Sequence, residues 1–113
     1  MTLKELYEKV SLRLPLEQRR FFNYLNDSVQ ELLSLYPGFV SGVGTDLPIH
    51  AYTSLDEDFE VLPLYHEAVA DNILFLAGAD EAYKSEFLRK SNDAWLAYWN
   101  RYAKGRRIRR GRW

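Results

Sequence analysis

The stretch EVLPLYHEAVADNILFLAGAD, residues 60–80, decides the fold that the sequence predicts. Pro63 suits the first turn of a helix, because its missing N–H would have no partner there. Apolar side chains then cover much of the helical circumference, so we expect a central helix that is broken at Gly78. The apolar positions of this third predicted helix are Leu64, Ala68, Val69, Ile73, Leu74, Leu76 and Ala77.

A fourth helix is predicted after the break, because Asp80 can cap a segment with helical periodicity that reaches about Tyr102. Large aromatic residues at this spacing usually belong to the core. At the end of the helix, however, Trp99 and Tyr102 could instead be exposed anchors for a neighbouring molecule. The stripe consists of Tyr83, Phe87, Leu88, Trp95, Leu96, Trp99 and Tyr102.

Two further helices are predicted before the central stretch. Thr2 and Glu5 match a capping box and begin a helix over about 3–12, which Pro15 ends or kinks. A second helix fits residues 16–36, where apolar positions step by three and four. They are Phe21, Phe22, Leu25, Val29, Leu32, Leu33 and Tyr36.

Residues 37–62 form a long connection with three glycines, two prolines and no sustained helical period. Two short strands, near 49–53 and 58–62, could pair there as a β-hairpin. A connection of this length is usually functional or ordered by a partner. The predicted fold is therefore all-α: a small four-helix domain with a long central loop and an extended basic C-terminal arm.

Charge divides the chain into a helical domain, residues 1–103, and a basic arm, KGRRIRRGRW, residues 104–113. The basic arm holds six cations, whereas residues 1–103 hold nine cations against sixteen acids and so carry −7. The net charge of −1 hides this asymmetry. An acidic domain with a basic arm indicates that either the domain or the arm binds a partner.

Composition excludes several functional classes. The absence of cysteine excludes disulfides and thiolate chemistry. The start MTLKELYEK lacks the apolar segment of a signal peptide, and no apolar run approaches the roughly 18 residues of a membrane span. We expect a soluble chain that is made and used in a cytoplasm.

The sequence offers no convincing catalytic or metal site. His66-Glu67 begins like the HExxH zinc motif, but Ala70 stands where the second histidine belongs. A metal set of His66, Glu67 and Asp71 is conceivable, although a partly solvated helix face explains them better. His50 has no catalytic partner at a distinctive spacing. We expect no enzyme activity, no metal and no cofactor.

An acidic cluster lies late in the long connection. Its carboxylates lack the alternating spacing and central glycine of a calcium-binding EF-hand loop. The cluster is either a solvated loop or a surface that faces a basic partner, where charge complementarity sets register and association rate. The predicted loop contacts are Asp56, Glu57, Asp58 and Glu60.

The basic arm has three interpretations. Clustered arginines suit nucleic-acid phosphates, although the acidic domain would repel DNA. Membrane binding has little apolar area to support it. A third interpretation is an arm that orders on a protein surface, where arginines form bidentate pairs and the apolar residues fill pockets. The predicted partner-binding residues are Trp99, Tyr102, Arg106, Arg107, Ile108, Arg109, Arg110, Arg112 and Trp113.

The order of these parts resembles the head-to-tail connector (adaptor) proteins of tailed bacteriophages. The features that carry the resemblance are a short acidic strand into Leu62-Pro63, Tyr65, the alanine- and leucine-rich helix, the break at 78–80, and a last helix with Phe87 and an aromatic end. The resemblance covers most of residues 3–102, as a pattern of helices and spacing. It does not predict an arginine-rich end.

The resemblance implies a non-enzymatic subunit of the virion neck, assembled in the bacterial host cytoplasm. Such subunits form a ring, commonly of twelve, under the portal protein; the ring extends the DNA channel and carries the stopper or tail. Termini and long loops make the contacts, here residues 37–62 and 103–113. DNA would pass without sequence-specific binding. The alternative is a small nucleic-acid-binding regulator that uses its arginine-rich tail.

Overall fold

The computed structural model describes residues 1–36, 40 and 51–103, except for the side chains of residues 102 and 103. This part of the chain is all-α, as the sequence predicts. A 3₁₀ turn at Pro63–Tyr65 leads into the third helix, and a π-helical turn at Trp99–Ala103 continues the fourth. The helices are α1 (Leu3–Arg13), α2 (Gln18–Leu35), α3 (His66–Leu76) and α4 (Ala82–Tyr98).

Helix α3 is the centre of the domain and packs against α1, α2 and α4. This confirms the prediction from its apolar circumference, because a helix that is apolar on most sides must be covered on most sides. Three of its polar side chains are also buried, a feature that the apolar pattern does not show. The buried residues of α3 are His66, Ala68, Val69, Ala70, Asp71, Asn72, Ile73 and Leu74.

The α1–α2 corner forms where Pro15 predicts it. Helix α1 buries Leu3, Leu6 and Val10, one stripe of its surface. The Tyr7 hydroxyl donates a hydrogen bond of 2.6 Å to the carbonyl oxygen of Leu16, beyond the corner. The Tyr7 ring also packs edge-on against Phe21 of α2, with 5.0 Å between centroids. Tyr7 of α1 thus contacts both the chain just after the corner and α2.

Helix α3 ends at a glycine in the left-handed region, with φ of +100° at Gly78. The N–H groups of Gly78 and Ala79 donate to the carbonyl oxygens of Phe75 and Leu74, which is a Schellman ending. Glycine adopts this conformation without steric strain. The N-cap of α4 is Glu81 rather than the predicted Asp80, but Asp80 Oδ1, one residue earlier, accepts a hydrogen bond of 2.8 Å from the N–H of Ala82, the first residue of α4.

A buried polar bridge joins α2, α3 and α4 around Asn72. Its Nδ2 donates to Ser28 Oγ at 2.9 Å and to Glu31 Oε1 at 3.2 Å. Lys84 of α4 pairs with Glu31 and donates to Asn72 Oδ1 at 3.2 Å. The Lys84 ammonium also lies 4.7 Å from the centre of the Phe87 ring. Every polar atom of the Asn72 amide is used, so the bridge specifies how the helices meet.

Residues 51–62 contain no strand, so the predicted hairpin is wrong over this range; residues 49 and 50 lie outside the described part. The segment is nevertheless packed, because it places Tyr52 and Val61 in the core beside Val40. The Leu62 N–H donates to the Val40 carbonyl at 2.9 Å. The N–H and the carbonyl of Tyr52 bond to the side-chain amide of Asn26 in α2.

Candidate partner-binding surfaces

The acidic cluster forms an ordered turn, which we call the acidic turn, residues 53–60. Glu57 Oε2 accepts hydrogen bonds from the N–H groups of Thr53 at 2.7 Å and Ser54 at 2.8 Å. The Glu57 N–H donates to the Ser54 carbonyl at 3.2 Å. Glu57 therefore closes the turn on itself, whereas Asp56 and Asp58 have exposed side chains. The predicted loop contacts thus occupy two different environments.

Asn26 of α2 anchors the chain just before the acidic turn. Its Oδ1 accepts from the Tyr52 N–H at 2.8 Å and its Nδ2 donates to the Tyr52 carbonyl at 3.1 Å. The Tyr52 hydroxyl accepts a bond of 3.1 Å from the N–H of Glu60, at the other end of the turn. Burial raises the pKa of Tyr52 above its ordinary value. Both ends of the acidic turn are thus tied to one buried tyrosine.

His66 secures the end of the segment and is buried, with 4% of its surface exposed. The interpretation that it lies on a partly solvated face is therefore wrong for His66. Its Nε2 lies 2.7 Å from the Val61 carbonyl oxygen and its Nδ1 lies 2.9 Å from the Met1 amino nitrogen. Burial lowers the pKa of His66 below its ordinary value.

The conceivable metal set of His66, Glu67 and Asp71 does not converge. Glu67 is exposed and binds Lys9 with both oxygens, at 2.6 and 2.7 Å. This bond lowers the pKa of Glu67. Asp71 Oδ2 lies 2.8 Å from the Lys90 ammonium. Across residues 1–36, 40 and 51–103, no group of three or more acidic or histidine side chains is arranged to hold a metal ion.

The two ion pairs line a cleft of about 200 Å³ between α1, α3 and α4. Arg13 also faces it and donates a hydrogen bond of 3.2 Å to the Tyr83 hydroxyl. Cations and carboxylates alternate in the cleft, so its charges largely neutralise one another. A second, more open groove of about 420 Å³ lies beside Tyr52. It is lined by Gln18, Arg19, Phe22, Asn23, Asn26, Tyr52 and Thr53.

An aromatic row runs from the domain centre towards the end of α4. We use this name for Tyr65, Tyr36, Trp95 and Trp99, whose successive centroids lie 6.0, 6.0 and 6.1 Å apart. Tyr65 is fully buried, whereas Trp99 is half-buried and opens the π-helical turn. Trp99 thus combines features of both predicted interpretations: it stacks on Trp95 within the fold, and part of its surface is exposed.

The remaining predicted partner-binding residues lie outside the described part of the chain. The Tyr102 backbone belongs to the π-helical turn, but its side chain is not described. The basic arm begins directly after this turn in sequence. Its predicted contacts are Arg106, Arg107, Ile108, Arg109, Arg110, Arg112 and Trp113.

Sequence reasoning missed Asn26 and His66 as the side chains that hold the acidic turn. Asn26 carries a usable signal, since asparagine is a poor helix former and stands in the middle of a strongly amphipathic helix. Such a residue commonly bonds to something outside its helix. His66 carries no comparable signal, because the partners of its two nitrogens lie five and sixty-five positions away in sequence.

Comparisons of the chain with protein-family models, with curated proteins and with solved structures find no match. Among the described residues, no helix combines the length and the apolar character that crossing a membrane requires. The class that the geometry defines is thus a small all-α domain with an ordered acidic turn.

Proposed function

We propose that the chain is a non-enzymatic head-to-tail connector (adaptor) of a tailed bacteriophage, located in the virion neck. In this proposal, copies form a ring, twelve in the simplest case, under the portal protein. The ring extends the DNA channel and offers the attachment site for the stopper or tail-completion protein. Assembly takes place in the bacterial host cytoplasm, and DNA passes the ring without sequence-specific binding.

The observation that carries the proposal is the ordered acidic turn on an otherwise acidic domain. Glu57 closes the turn, so Asp56 and Asp58 are displayed with little conformational entropy left to lose on binding. The basic arm of a neighbouring copy supplies charges of the opposite sign. A contact between two different surfaces of identical subunits is heterologous, and such contacts close into a ring when the rotation fits.

Two further features support an adaptor. The aromatic row brings a half-buried tryptophan, Trp99, to the point in sequence where the basic arm begins, and large aromatics commonly anchor protein contacts. The charge of −7 on residues 1–103 also suits a channel wall, because a wall that attracts phosphates would retain passing DNA.

Mixing the full chain with the portal tests the proposal. Light-scattering mass and negative-stain images should show a ring on the portal. Removing residues 104–113 should abolish docking or ring assembly and leave the helical circular dichroism unchanged. A full chain that shows no affinity for the portal and no assembly under any condition would refute the proposal, whereas a monomer in isolation agrees with a ring that forms only on its partner.

A charge-matched pair of variants tests the acidic turn itself. Asp56→Asn with Asp58→Asn removes two charges from the turn, and Glu8→Gln with Glu17→Gln removes two from exposed positions near the N-terminus. If the turn receives the basic arm, the first pair weakens assembly and the second pair does not. Equal effects would show that only the total charge matters.

The clustered arginines of the basic arm favour a second candidate, a small nucleic-acid-binding regulator. Five or six phosphate contacts would make DNA binding strongly dependent on salt. Removal of residues 104–113 should then abolish DNA binding in a mobility-shift titration. Substituting Asp56 and Asp58 would strengthen such binding slightly, the opposite of its effect on an adaptor.

A further inference from the structure

His66 lies where three segments meet: the N-terminus of the chain, the end of residues 51–62 and the start of α3. Its Nε2 is 2.7 Å from the Val61 carbonyl oxygen, and its Nδ1 is 2.9 Å from the Met1 amino nitrogen. The imidazole is 4% exposed, and the Phe59 ring covers it with 4.6 Å between centroids. One side chain therefore holds segments that are far apart in sequence.

The two bonds determine the protonation state of the imidazole. A carbonyl oxygen can only accept a hydrogen bond, so Nε2 carries the hydrogen that bonds to Val61. The Met1 nitrogen donates, so Nδ1 must be the bare acceptor. Neutral imidazole with its hydrogen on Nε2 is the form that satisfies both bonds, since a proton on Nδ1 would set two donors against each other.

The charged groups nearest His66 act on its charge in opposite directions: the Met1 amino group disfavours a protonated imidazole, and the Glu67 carboxylate favours it. On the α1 side, the Met1 amino group is itself a donor. On α3, Glu67 binds Lys9 with both carboxylate oxygens. In the segment, Glu57 bonds to the backbone of Thr53 and Ser54, and the Glu60 N–H bonds to the Tyr52 hydroxyl. Protonation of Nδ1 would therefore replace the bond with Met1 by a repulsion between two donors in a buried site.

We propose that His66 is an acid-operated clasp that holds residues 51–62 on the domain while it is neutral and releases them when Nδ1 is protonated. Protonation breaks the bond with Met1 and places a poorly solvated charge beside Phe59, and opening of the segment relieves both penalties. The clasp stands on the local geometry alone. Its consequence, that acid withdraws the acidic turn from a partner, rests on the proposed function.

The direction of the pH dependence follows from proton linkage. Burial lowers the pKa of His66 in the closed state below the ordinary value of about 6.5, which the open state approaches. Protons therefore favour the open state. Above about pH 6.5 the closed state is most strongly favoured. Below that pH, the ratio of closed to open protein falls about tenfold for each pH unit until the pKa of the closed state is reached.

Nuclear magnetic resonance on the full chain tests the clasp. The His66 Cε1 proton, assigned by its loss in His66→Gln, should titrate below about pH 6.5. Over the same range, protection of the Leu62 amide, corrected for intrinsic exchange, should fall by up to about tenfold per pH unit. The Ala77 amide of α3 should keep its protection. A midpoint at or above the ordinary value, or constant Leu62 protection, overturns the proposal.

Matched variants separate His66 from Glu57, whose carboxylate closes the acidic turn. Gln at position 66 remains neutral and can still donate to Val61, so His66→Gln should remove the pH dependence, and Glu57→Gln should retain it. The reverse pattern overturns the clasp. If His66→Gln does not fold, Glu57→Gln provides the test, because the pH dependence of Leu62 protection should persist in this variant and its loss would overturn the clasp.

Portal binding then distinguishes the clasp from the proposed function. Capture of the full chain by the portal at about pH 7, lost at about pH 5 in the wild type but retained in His66→Gln, supports both. Absence of portal binding at every pH refutes the adaptor proposal and leaves the titration and exchange results to decide the clasp. Portal binding that is independent of pH in the wild type overturns the proposed regulation.

Discussion

The N-terminus of α1 and residues 51–62 are both fixed by side chains that bond to backbone N–H groups, but the side chains come from different distances. At α1, Thr2 and Glu5 exchange bonds of 3.1 Å across three positions. In the segment, Tyr52 is held by Asn26, twenty-six positions away. The first arrangement forms wherever its four residues turn into a helix. The second exists only after α2 and the segment have met.

This difference has consequences for stability and for regulation. A local cap stabilises one end of one helix, so its loss frays that end. A distant anchor closes a loop, and its loss frees the whole segment that it holds. The clasp that we propose acts on residues 51–62, because side chains distant in sequence hold this segment.

The largest expected effect comes from Tyr52, which is 1% exposed and joins both ends of the acidic turn. Tyr52→Ala removes a large buried ring and should lower the free energy of unfolding by about 3–5 kcal/mol. Urea unfolding followed by circular dichroism measures this. Tyr52→Phe is the control: it keeps the ring, loses the acceptor for Glu60, and should cost about 1 kcal/mol. A small effect of Tyr52→Ala would mean that the segment contributes little to the core.

Asn26→Ala should have the next largest effect, a loss of about 2 kcal/mol, because it leaves the N–H and the carbonyl of a buried residue without their partner. Asn23→Ala is the matched control, since Asn23 is exposed on the same helix three positions earlier, and its effect should stay within about 0.5 kcal/mol. Chemical denaturation of both variants provides the measurement. Equal losses of unfolding free energy in the two variants would show that the bonds to Tyr52 do not account for the effect of Asn26→Ala.

Thr2→Ala should cost about 1 kcal/mol through loss of the α1 cap. Hydrogen exchange should show fraying of the first turn of α1, and the amides of residues 51–62 should keep their protection. If the segment also loses protection, the local cap and the distant anchors are coupled more tightly than their separate contacts indicate.

The smallest expected effect concerns pH at the α1 cap. The bonds to Thr2 lower the pKa of Glu5, so its carboxylate stabilises the cap above the ordinary glutamate value of about 4.3, and this contribution is lost as pH falls through the lowered pKa. The stability difference between the wild type and Glu5→Gln should therefore shrink below about pH 4. A difference that is constant with pH would contradict the reciprocal cap.

Much of the fold could be predicted from local patterns. The capping box, the corner at Pro15, the helix start at Pro63 and the break at Gly78 all lie where their residues indicate, because each depends on neighbours within a few positions. The hairpin was wrong over residues 51–62. Alternating apolar residues indicate which side chains face the core, but they do not indicate which acceptors bond to the backbone N–H groups.

The candidate site was only partly predictable. The sequence identified the acidic cluster, but Glu57 turns inward onto its own backbone while Asp56 and Asp58 remain exposed. Nothing in the local pattern distinguishes one carboxylate of this cluster from the next. The separation depends on the path of the chain through the turn.

By itself, the sequence determined the all-α class, the order of the helices, and the difference in charge between residues 1–103 and 104–113. These properties follow from periodicity, capping and composition, which act over short distances or over the whole chain. Only the tertiary structure decided that residues 51–62 are held by Asn26 and His66, and that His66 is buried between the Val61 carbonyl and the Met1 amino group. Those outcomes depend on which distant groups meet, and only the packed helices bring these groups together.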